Sequence, residues 1–204
     1  MLPELIVATK NKKKLQEIKE ILKDLHLHIV SLEDFQRSPR IVENGSTFQA
    51  NAIKKAVAAA RFYKKLSMGE DSGLCVRALN GAPGVMSARF SGREKSDEKN
   101  NQKLLRLLAN LPMRKRRAYY SCAVALADHS GVIGVVEGRC SGFIANAPAG
   151  TFGFGYDPLF LVPEYKKTFA QLGGRIKHSR SHRFRALKKF RRILEKYIEK
   201  TRVR

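Results

Sequence analysis

Apolar residues along this chain fall into short blocks with two different periods. Leu5-Ile6-Val7-Ala8 is a continuous apolar run that stops at Thr9, and the pattern predicts a strand over Leu5 to Thr9. From Lys12, apolar residues recur at Leu15, Ile18, Leu22 and Leu25, which is helical spacing. His28 to Leu32 alternates as a second short strand. Ser46 precedes Gln49 by three positions, the spacing of a capping box, and Ala52, Ile53, Ala56, Val57 and Ala60 form an apolar helix face behind it. A helix is predicted from about Asp97 to Leu108, ending at Pro112. Tyr119 to Ala127 and Val132 to Glu137 read as two strands joined by the turn Asp128-His129-Ser130-Gly131. Leu159 to Val162 reads as one more strand. A last helix carries Leu187, Phe190, Leu194, Tyr197 and Ile198. Strands and helices alternate, but the hairpin argues against a purely parallel sheet, so the expectation is a mixed α/β protein.

The composition adds bounds. With 204 residues, 43% hydrophobic and 28% charged, the chain is sized for one large domain or two closely packed lobes with a real core. Its longest apolar runs are too short to span a bilayer. Met1-Leu2-Pro3-Glu4 lacks the basic and apolar regions of a secretory signal. Cys75, Cys122 and Cys140 are odd in number and scattered, matching neither a disulfide framework nor a zinc pattern. Buried thiols in a reducing cytoplasm are the simplest expectation. The formal net charge is +22, and Arg175 to Arg204 alone holds thirteen Lys/Arg against two Glu. Such a field attracts polyanions, either nucleic acid or small phosphorylated ligands. The plain alternative for the tail is a solvated basic helix.

Four stretches carry candidate chemistry. In "VATKNKKKL", Val7 to Leu15, a strand runs into a helix, so backbone N–H groups and the helix dipole converge at the turn. Thr9 and Asn11 can donate side-chain hydrogen bonds there, and the lysines add charge. An anion site and an amphipathic helix with a lysine-rich wet face both fit; the P-loop spacing is absent. In "GEDSGLCVRALNGAPGVMSARFSG", Gly69 to Gly92, the adjacent acids Glu70 and Asp71 raise each other's pKa unless a cation intervenes. Magnesium would resolve that conflict with one or two carboxylates, water and substrate phosphates, and Glu43 in "IVENGSTF" offers another carboxylate. The flanking glycines and prolines suggest a tightly folded loop rather than a surface acidic turn. In "GTFGFGYDP", Gly150 to Pro158, glycines allow close backbone approach. Phe152, Phe154 and Tyr156 offer faces for a flat ring, and Asp157 offers an acceptor; a turn packed on the core fits equally. In "KHSRSHRFRAL", Lys177, His182 and Arg183 could grip phosphate or the exocyclic oxygen of a base, with Ser181 placed as a helix N-cap.

Taken in order, these stretches resemble the inosine triphosphate pyrophosphatase family, enzymes that hydrolyse nonstandard purine nucleoside triphosphates. The resemblance runs through "IVATKNKKKLQEI", "ENGSTFQANAIKKA", "EDSGLCVRALNGAPGVMSARFSG", "DEKNNQKLL", "FGYDPLF" and "SHRFRAL", nearly the whole chain. It implies a single ITPase-like domain over 1–204 made of two lobes, with a long mixed central sheet flanked by helices and an active-site cleft between the lobes. It implies a homodimer, dependence on Mg2+, and conversion of ITP, dITP or XTP and water into the monophosphate and pyrophosphate, which clears deaminated purines from the nucleotide pool.

By the same resemblance Thr9, Lys10, Asn11, Lys12, Lys13 and Lys14 bind triphosphate. Glu43 and Glu70 help hold the metal, and Asp71 is the general base or a metal ligand. Ser72 touches substrate. Phe154, Gly155, Tyr156 and Asp157 cradle base and sugar, with Phe152 as a stacking neighbour. Lys177, His182 and Arg183 contact the base oxygen and phosphates. Donors aimed at a 6-oxo group would favour hypoxanthine and xanthine over adenine, since an unpaired buried donor costs roughly 1–3 kcal/mol. One departure stands out. Where the family often carries an acidic helix-like run, this chain reads "AQLGGRIKHSRSHR", and Gly173 and Gly174 each weaken a helix by about 1 kcal/mol. Three rivals remain: a nucleic-acid-binding protein using the basic last helix, a house-cleaning enzyme for other modified nucleotides, and a degenerate homologue. No RNA-recognition or zinc-finger signature supports the first, which leaves nonspecific binding.

Overall fold

The computed structural model describes residues 3–202. Seven strands form one mixed sheet in the order β2-β1-β3-β4-β5-β6-β7. They are β1 (Glu4–Val7), β2 (His28–Ser31), β3 (Ser67–Val76), β4 (Arg117–Asp128), β5 (Gly131–Ile144), β6 (Phe160–Val162) and β7 (Lys167–Thr168). The helices are α1 (Lys12–Leu22), α2 (Phe48–Tyr63), α3 (Asp97–Leu108), α4 (Phe169–Arg180) and α5 (His182–Arg202). β1 pairs in parallel with both β2 and β3, whereas β6 pairs antiparallel with β5 and β7. The mixed α/β expectation therefore holds. Among the described residues no helix is long and apolar enough to cross a membrane.

The chain divides into two compact units. The first takes the chain up to Asp71, Cys122–Gly138, and everything from Arg183 on. Its part of β4 is apolar at every position up to Ala127, so both faces are covered and alternate residues go to different partners. Cys122, Val124 and Leu126 pack with Leu5, Val7, Ile18, Leu22, Leu187, Phe190 and Leu194, the apolar stripes of α1 and α5 among them. Ala123, Ala125 and Ala127 pack with Ala52, Ala56 and Ala60 of α2. Small residues on both sides bring α2 close, and closest at Gly69 of β3. A Cβ there would lie 2.0 Å from the Ala52 carbonyl oxygen and 2.5 Å from the Ala56 nitrogen. Both are backbone atoms, so only glycine fits.

The second unit comprises Ser72–Ser121 and Arg139–His182. Its core joins Leu74 and Val76 of β3, Leu104 and Leu108 of α3, and Tyr120, Ile144, Tyr156, Phe160 and Phe169. Phe160 stacks on Phe169 with ring centroids 5.3 Å apart. Buried Arg116 gives its guanidinium to the carbonyls of Leu108, Ile144 and Ala145, each at 2.8 Å, tying the end of α3 to the end of β5.

Several local expectations shift. β1 ends at Val7, leaving Thr9 in the turn. The cap of α2 is Thr47, which accepts from the Ala50 N–H at 3.1 Å, rather than Ser46. The strand pair is longer than its alternating cores, and the turn is closed by Asp128 Oδ1 accepting from the Ser130 and Gly131 N–H groups. The acid pair lies in the buried ten-residue β3, not in a loop: the tertiary cover of α2 overrides the turn-like glycines. The stretch with two glycines is helical on either side of a break at Gly173, whose φ of 73° is left-handed. Thr168 and Gln171 complete a capping box at the start of α4.

Gly69→Ala should cost roughly 1–3 kcal/mol or more of folding stability, because backbone must move to admit one methyl. Urea denaturation checks this. An unchanged midpoint would show that α2 does not approach β3 this closely.

Candidate active site

In the first unit, the exit of β1 is pinned by its own side chains. Thr9 Oγ1 accepts from the Asn11 N–H at 3.1 Å, and Asn11 Oδ1 accepts from the Lys14 N–H at 3.1 Å, capping α1. The first turn of α1 holds no acid and three lysines, the wrong sign for a helix N-terminus unless an anion is nearby. Lys10, Lys12 and Lys13 are exposed. Lys14 instead folds inward, its Nζ 2.9 Å from Glu70 Oε2.

Glu70 is the most enclosed acid of the set. Arg183 Nη2 reaches its Oε1 at 3.2 Å, the Cys122 thiol donates to the same oxygen at 3.2 Å, and Arg183 also pairs with Glu17. Burial would raise the Glu70 carboxyl. Lys14 and Arg183, with help from Lys55, outweigh burial and hold it well below the ordinary carboxylate range. The same burial, with the Glu70 charge beside it, pushes the Cys122 thiol far up, so it stays a protonated donor.

Asp71 points to the other side of β3, as strand alternation requires. There α2 presents Asn51 and Lys55, one helical turn apart. Lys55 Nζ lies 2.9 Å from Asp71 Oδ1 and 2.7 Å from Glu43 Oε2; Asn51 Nδ2 donates to Asp71 Oδ2 at 3.1 Å. Asn51 Oδ1 in turn accepts from the Gly45 N–H at 2.8 Å, which fixes the Glu43 loop. Burial raises the Asp71 carboxyl against the pull of Lys55 and Lys14, and the Glu70 charge adds to the rise. Burial also opposes ionisation of Glu43, but Lys55 keeps that carboxyl lowered. Adjacent acids are thus driven in opposite directions, a pattern typical of catalytic carboxylates.

The donor set suits magnesium. Glu43 and Asp71 converge on one ammonium, and in this cluster the carboxylates of Glu17, Glu43, Glu70 and Asp71 face the cations of Lys14, Lys55 and Arg183. Acids thus outnumber cations here, inside a chain whose net charge is +22. No group of three or more metal-ligating side chains occurs among the described residues, but magnesium takes only one or two carboxylates when water and phosphates complete its shell.

In the second unit, the glycine-aromatic loop folds around Asp157. Its Oδ2 accepts from Lys177 Nζ at 2.6 Å and from the Phe154 N–H at 2.9 Å. A Cβ at Gly153, whose φ is 89°, would lie 2.2 Å from that oxygen. Lys177 Nζ sits 4.4 Å from the Phe154 ring centroid. Gly155 is held at both ends by α3, its N–H donating to Asp97 at 2.7 Å and its carbonyl accepting from Asn101 at 3.0 Å. Tyr156 corrects an expectation: its ring is buried in the core and its hydroxyl donates to the Ser87 carbonyl at 2.8 Å, so it offers no face for a base. Asp157 is likewise committed to Lys177. Exposed Phe152 lies edge-on to His178, and His182 stacks on Tyr120 at 4.5 Å. Ser72 is half-buried. α5 begins one residue after Ser181, whose backbone is extended, as the cap reading expects.

Of the residues expected to act, the structure brings Lys14, Glu43, Glu70, Asp71 and Arg183 together in the first unit and Phe154, Asp157 and Lys177 together in the second. Sequence reasoning missed Lys55, Asn51, Glu17, Cys122, Tyr120, Asp97 and Asn101. Asn51 and Lys55 had a usable signal, an i, i+4 polar pair on an otherwise apolar helix face.

A mixed α/β protein with acids and cations interleaved on a buried strand is the class this geometry defines. The chain belongs to the Ham1 family, whose profile matches residues 5–193. A curated relative, the dITP/XTP pyrophosphatase of Desulforamulus reducens, is 50% identical over 193 residues, 95% of this chain and 96% of that one. A HAM1 protein from Coxiella burnetii has a TM-score of 0.86 at 38% identity, covering 96% of this chain and 100% of that one. The Staphylococcus aureus Ham1 protein has a TM-score of 0.84 at 40% identity, covering 95% and 99%.

Glu70→Gln should destabilise the fold by roughly 3–5 kcal/mol at neutral pH, because it leaves buried cations short of an anion. A carboxyl lowered on folding stabilises above its unfolded pKa of about 4.5 and ceases to do so as pH falls through the folded value. The gap in melting temperature between variant and wild type should therefore narrow below about pH 4.5. A gap independent of pH would show that Glu70 is not held as an anion.

Proposed function

We propose that this chain hydrolyses nonstandard purine nucleoside triphosphates, ITP, dITP and XTP, to the monophosphate and pyrophosphate. The observation that carries the reading is the Glu70–Asp71 pair, one acid locked as an anion and its neighbour raised towards proton transfer, with Lys14 and Lys55 beside them. Family membership and the activity named for the Desulforamulus reducens relative support it.

In this mechanism the α1 N-terminus with Thr9, Lys10, Asn11, Lys12 and Lys13 receives the triphosphate, through backbone N–H groups and lysine charge. Glu43 and Asp71, with Glu70 behind them, would hold Mg2+, which when bound offsets phosphate charge. Asp71 accepts a proton from water as the water's oxygen bonds to phosphorus, and the bridge between the α- and β-phosphates breaks. Lys55 and Asn51 hold both Asp71 oxygens, so the carboxylate has one orientation. Glu70 binds Lys14 and Arg183 and is the structural acid of the pair. The base falls to the second unit: Phe154 offers a ring face, and Lys177, positioned by Asp157, and His182 are donors for a 6-oxo oxygen. Ser72 follows Asp71 directly and contacts substrate, and Arg183 adds positive charge for the phosphates. The reading takes the chain as one ITPase-like domain. It also takes a second copy of the chain as partner and the cytoplasm as its place; Cys75, Cys122 and Cys140, all buried and none in a disulfide, fit a reducing compartment.

A nucleotide panel tests this. ITP and XTP should release pyrophosphate well above ATP, CTP and UTP, and EDTA should abolish release. Equal rates across the panel, or orthophosphate as product, would reject the reading. Asp71→Asn should lower kcat at least about a hundredfold while the protein stays folded, the size of a general-base contribution. Because the Asp71 carboxyl is raised and must be ionised to act, the acid limb of kcat/KM should lie above the ordinary carboxylate pKa of about 4. Lys55→Met removes an opposing charge and should move that limb higher still. A limb unmoved by Lys55→Met would take the titration away from Asp71.

A further inference from the structure

α5 has two faces with different work. Ala186, Leu187, Phe190 and Leu194 are buried in the first unit's core, with Ile193, Tyr197 and Ile198 packed against it. Its outer face carries Lys188, Arg192, Lys196 and Lys200, all exposed and four residues apart. Exposed Arg185 and Lys189 flank the row, Lys189 donating to the Glu137 carbonyl at 2.7 Å. Two acids lie on α5 itself. Glu195 pairs with Arg191 at 2.8 Å, and Glu199 is the one exposed acid among the outer positions from Arg185 to Lys200. Like charges at i, i+4 repel along a helix, and this row spans about 18 Å at 1.5 Å per residue. Nothing in the proposed chemistry uses these residues.

We propose that this row binds the phosphate backbone of duplex DNA, without reading sequence. Charge complementarity selects a polyanion, and four point charges spread along about 18 Å of helix suit a stiff one with a phosphate charge about every 1.7 Å of axis. The composition of the face separates the candidates. The apolar side chains of α5 from Ala186 to Ile198 are committed to the core, leaving none beside the row to enter a bilayer. The exposed positions from Arg185 to Lys200 hold no aromatic residue on which single-stranded bases could stack. Apart from Glu199 these exposed positions are all cations, so phosphate is the group their charge meets.

The test is fluorescence anisotropy of full-length protein with a labelled random-sequence DNA duplex, from about 50 to 200 mM salt. Four phosphate contacts give a log–log salt slope of about −3.6. A quadruple variant, Lys188→Gln, Arg192→Gln, Lys196→Gln and Lys200→Gln, should lose at least about tenfold in affinity at low salt and most of that slope. Its circular dichroism and nucleotide turnover should match wild type, so failure here is separable from failure of the proposed hydrolysis. A second variant, Arg40→Gln, Arg93→Gln, Arg114→Gln and Lys115→Gln, removes the same charge at exposed positions elsewhere and should keep the binding. Equal loss in both variants would mean net charge alone is felt and would overturn the assignment. So would wild-type affinity in the α5 variant, tighter binding to RNA duplex or single strands than to duplex DNA, or binding to anionic vesicles in preference to DNA.

Discussion

The carboxylate of Glu70 sits on a central strand with almost no access to water, and the geometry of the first unit answers to that. An ion taken out of water costs several kcal/mol unless charge and hydrogen bonds replace its hydration. Here the replacements come from three separate parts of the chain: Lys14 from the first turn of α1, Cys122 from β4 and Arg183 from the start of α5. Each is held by elements that also bury apolar surface, so the ion pairs and the hydrophobic core set each other's register. Glu17 gives Arg183 a second acid, fixing the guanidinium between α1 and β3.

Strand alternation then makes adjacent acids unlike. Glu70 faces Lys14 and Arg183; Asp71 faces Lys55 and Asn51 of α2. α2 reaches Asp71 because alanines line both sides of its contact and because Gly69 lets its backbone touch β3. A glycine, an alanine stripe and an acid pair thus form a single device. Remove the close approach and Lys55 no longer spans Asp71 and Glu43.

The second unit solves a smaller version of the same problem. Asp157 and Lys177 are both buried, and each satisfies the other. Left-handed glycine turns at Gly153 and Gly155 wrap the loop around that pair, and Asp97 and Asn101 of α3 clamp Gly155 from outside. The result is a preorganised loop in which Phe154 keeps a ring against the Lys177 ammonium. Preorganisation of this kind lowers the ordering cost of binding a flat ligand.

Much of this was legible in the chain. The helical period from Lys12, the strand-turn-strand pattern about Asp128-Gly131, the extent of α3 and the apolar stripe of α5 are local, because side-chain period follows directly from backbone geometry. The acid pair, the lysines after β1 and the glycine-aromatic loop could be singled out by charge and composition alone. What local pattern could not show is where buried ions find partners. Gly69 to Gly92 reads as a loop by its glycines, yet its first part is buried strand: Gly69 admits the backbone of α2, and Gly73 admits Ser87 and the Gly84 carbonyl. Tyr156 reads as a stacking face and is core, because its hydroxyl found the Ser87 carbonyl far along the chain. Lys177, His182 and Arg183 look like one cluster, yet Arg183 turns to Glu17 and Glu70, more than a hundred residues away in sequence. The sequence alone determined the elements with a clear local period and which charges need an answer; only the tertiary structure decided the rest and which charge answers which. Pairing in a low-dielectric interior depends on distances between elements, and no local period encodes those.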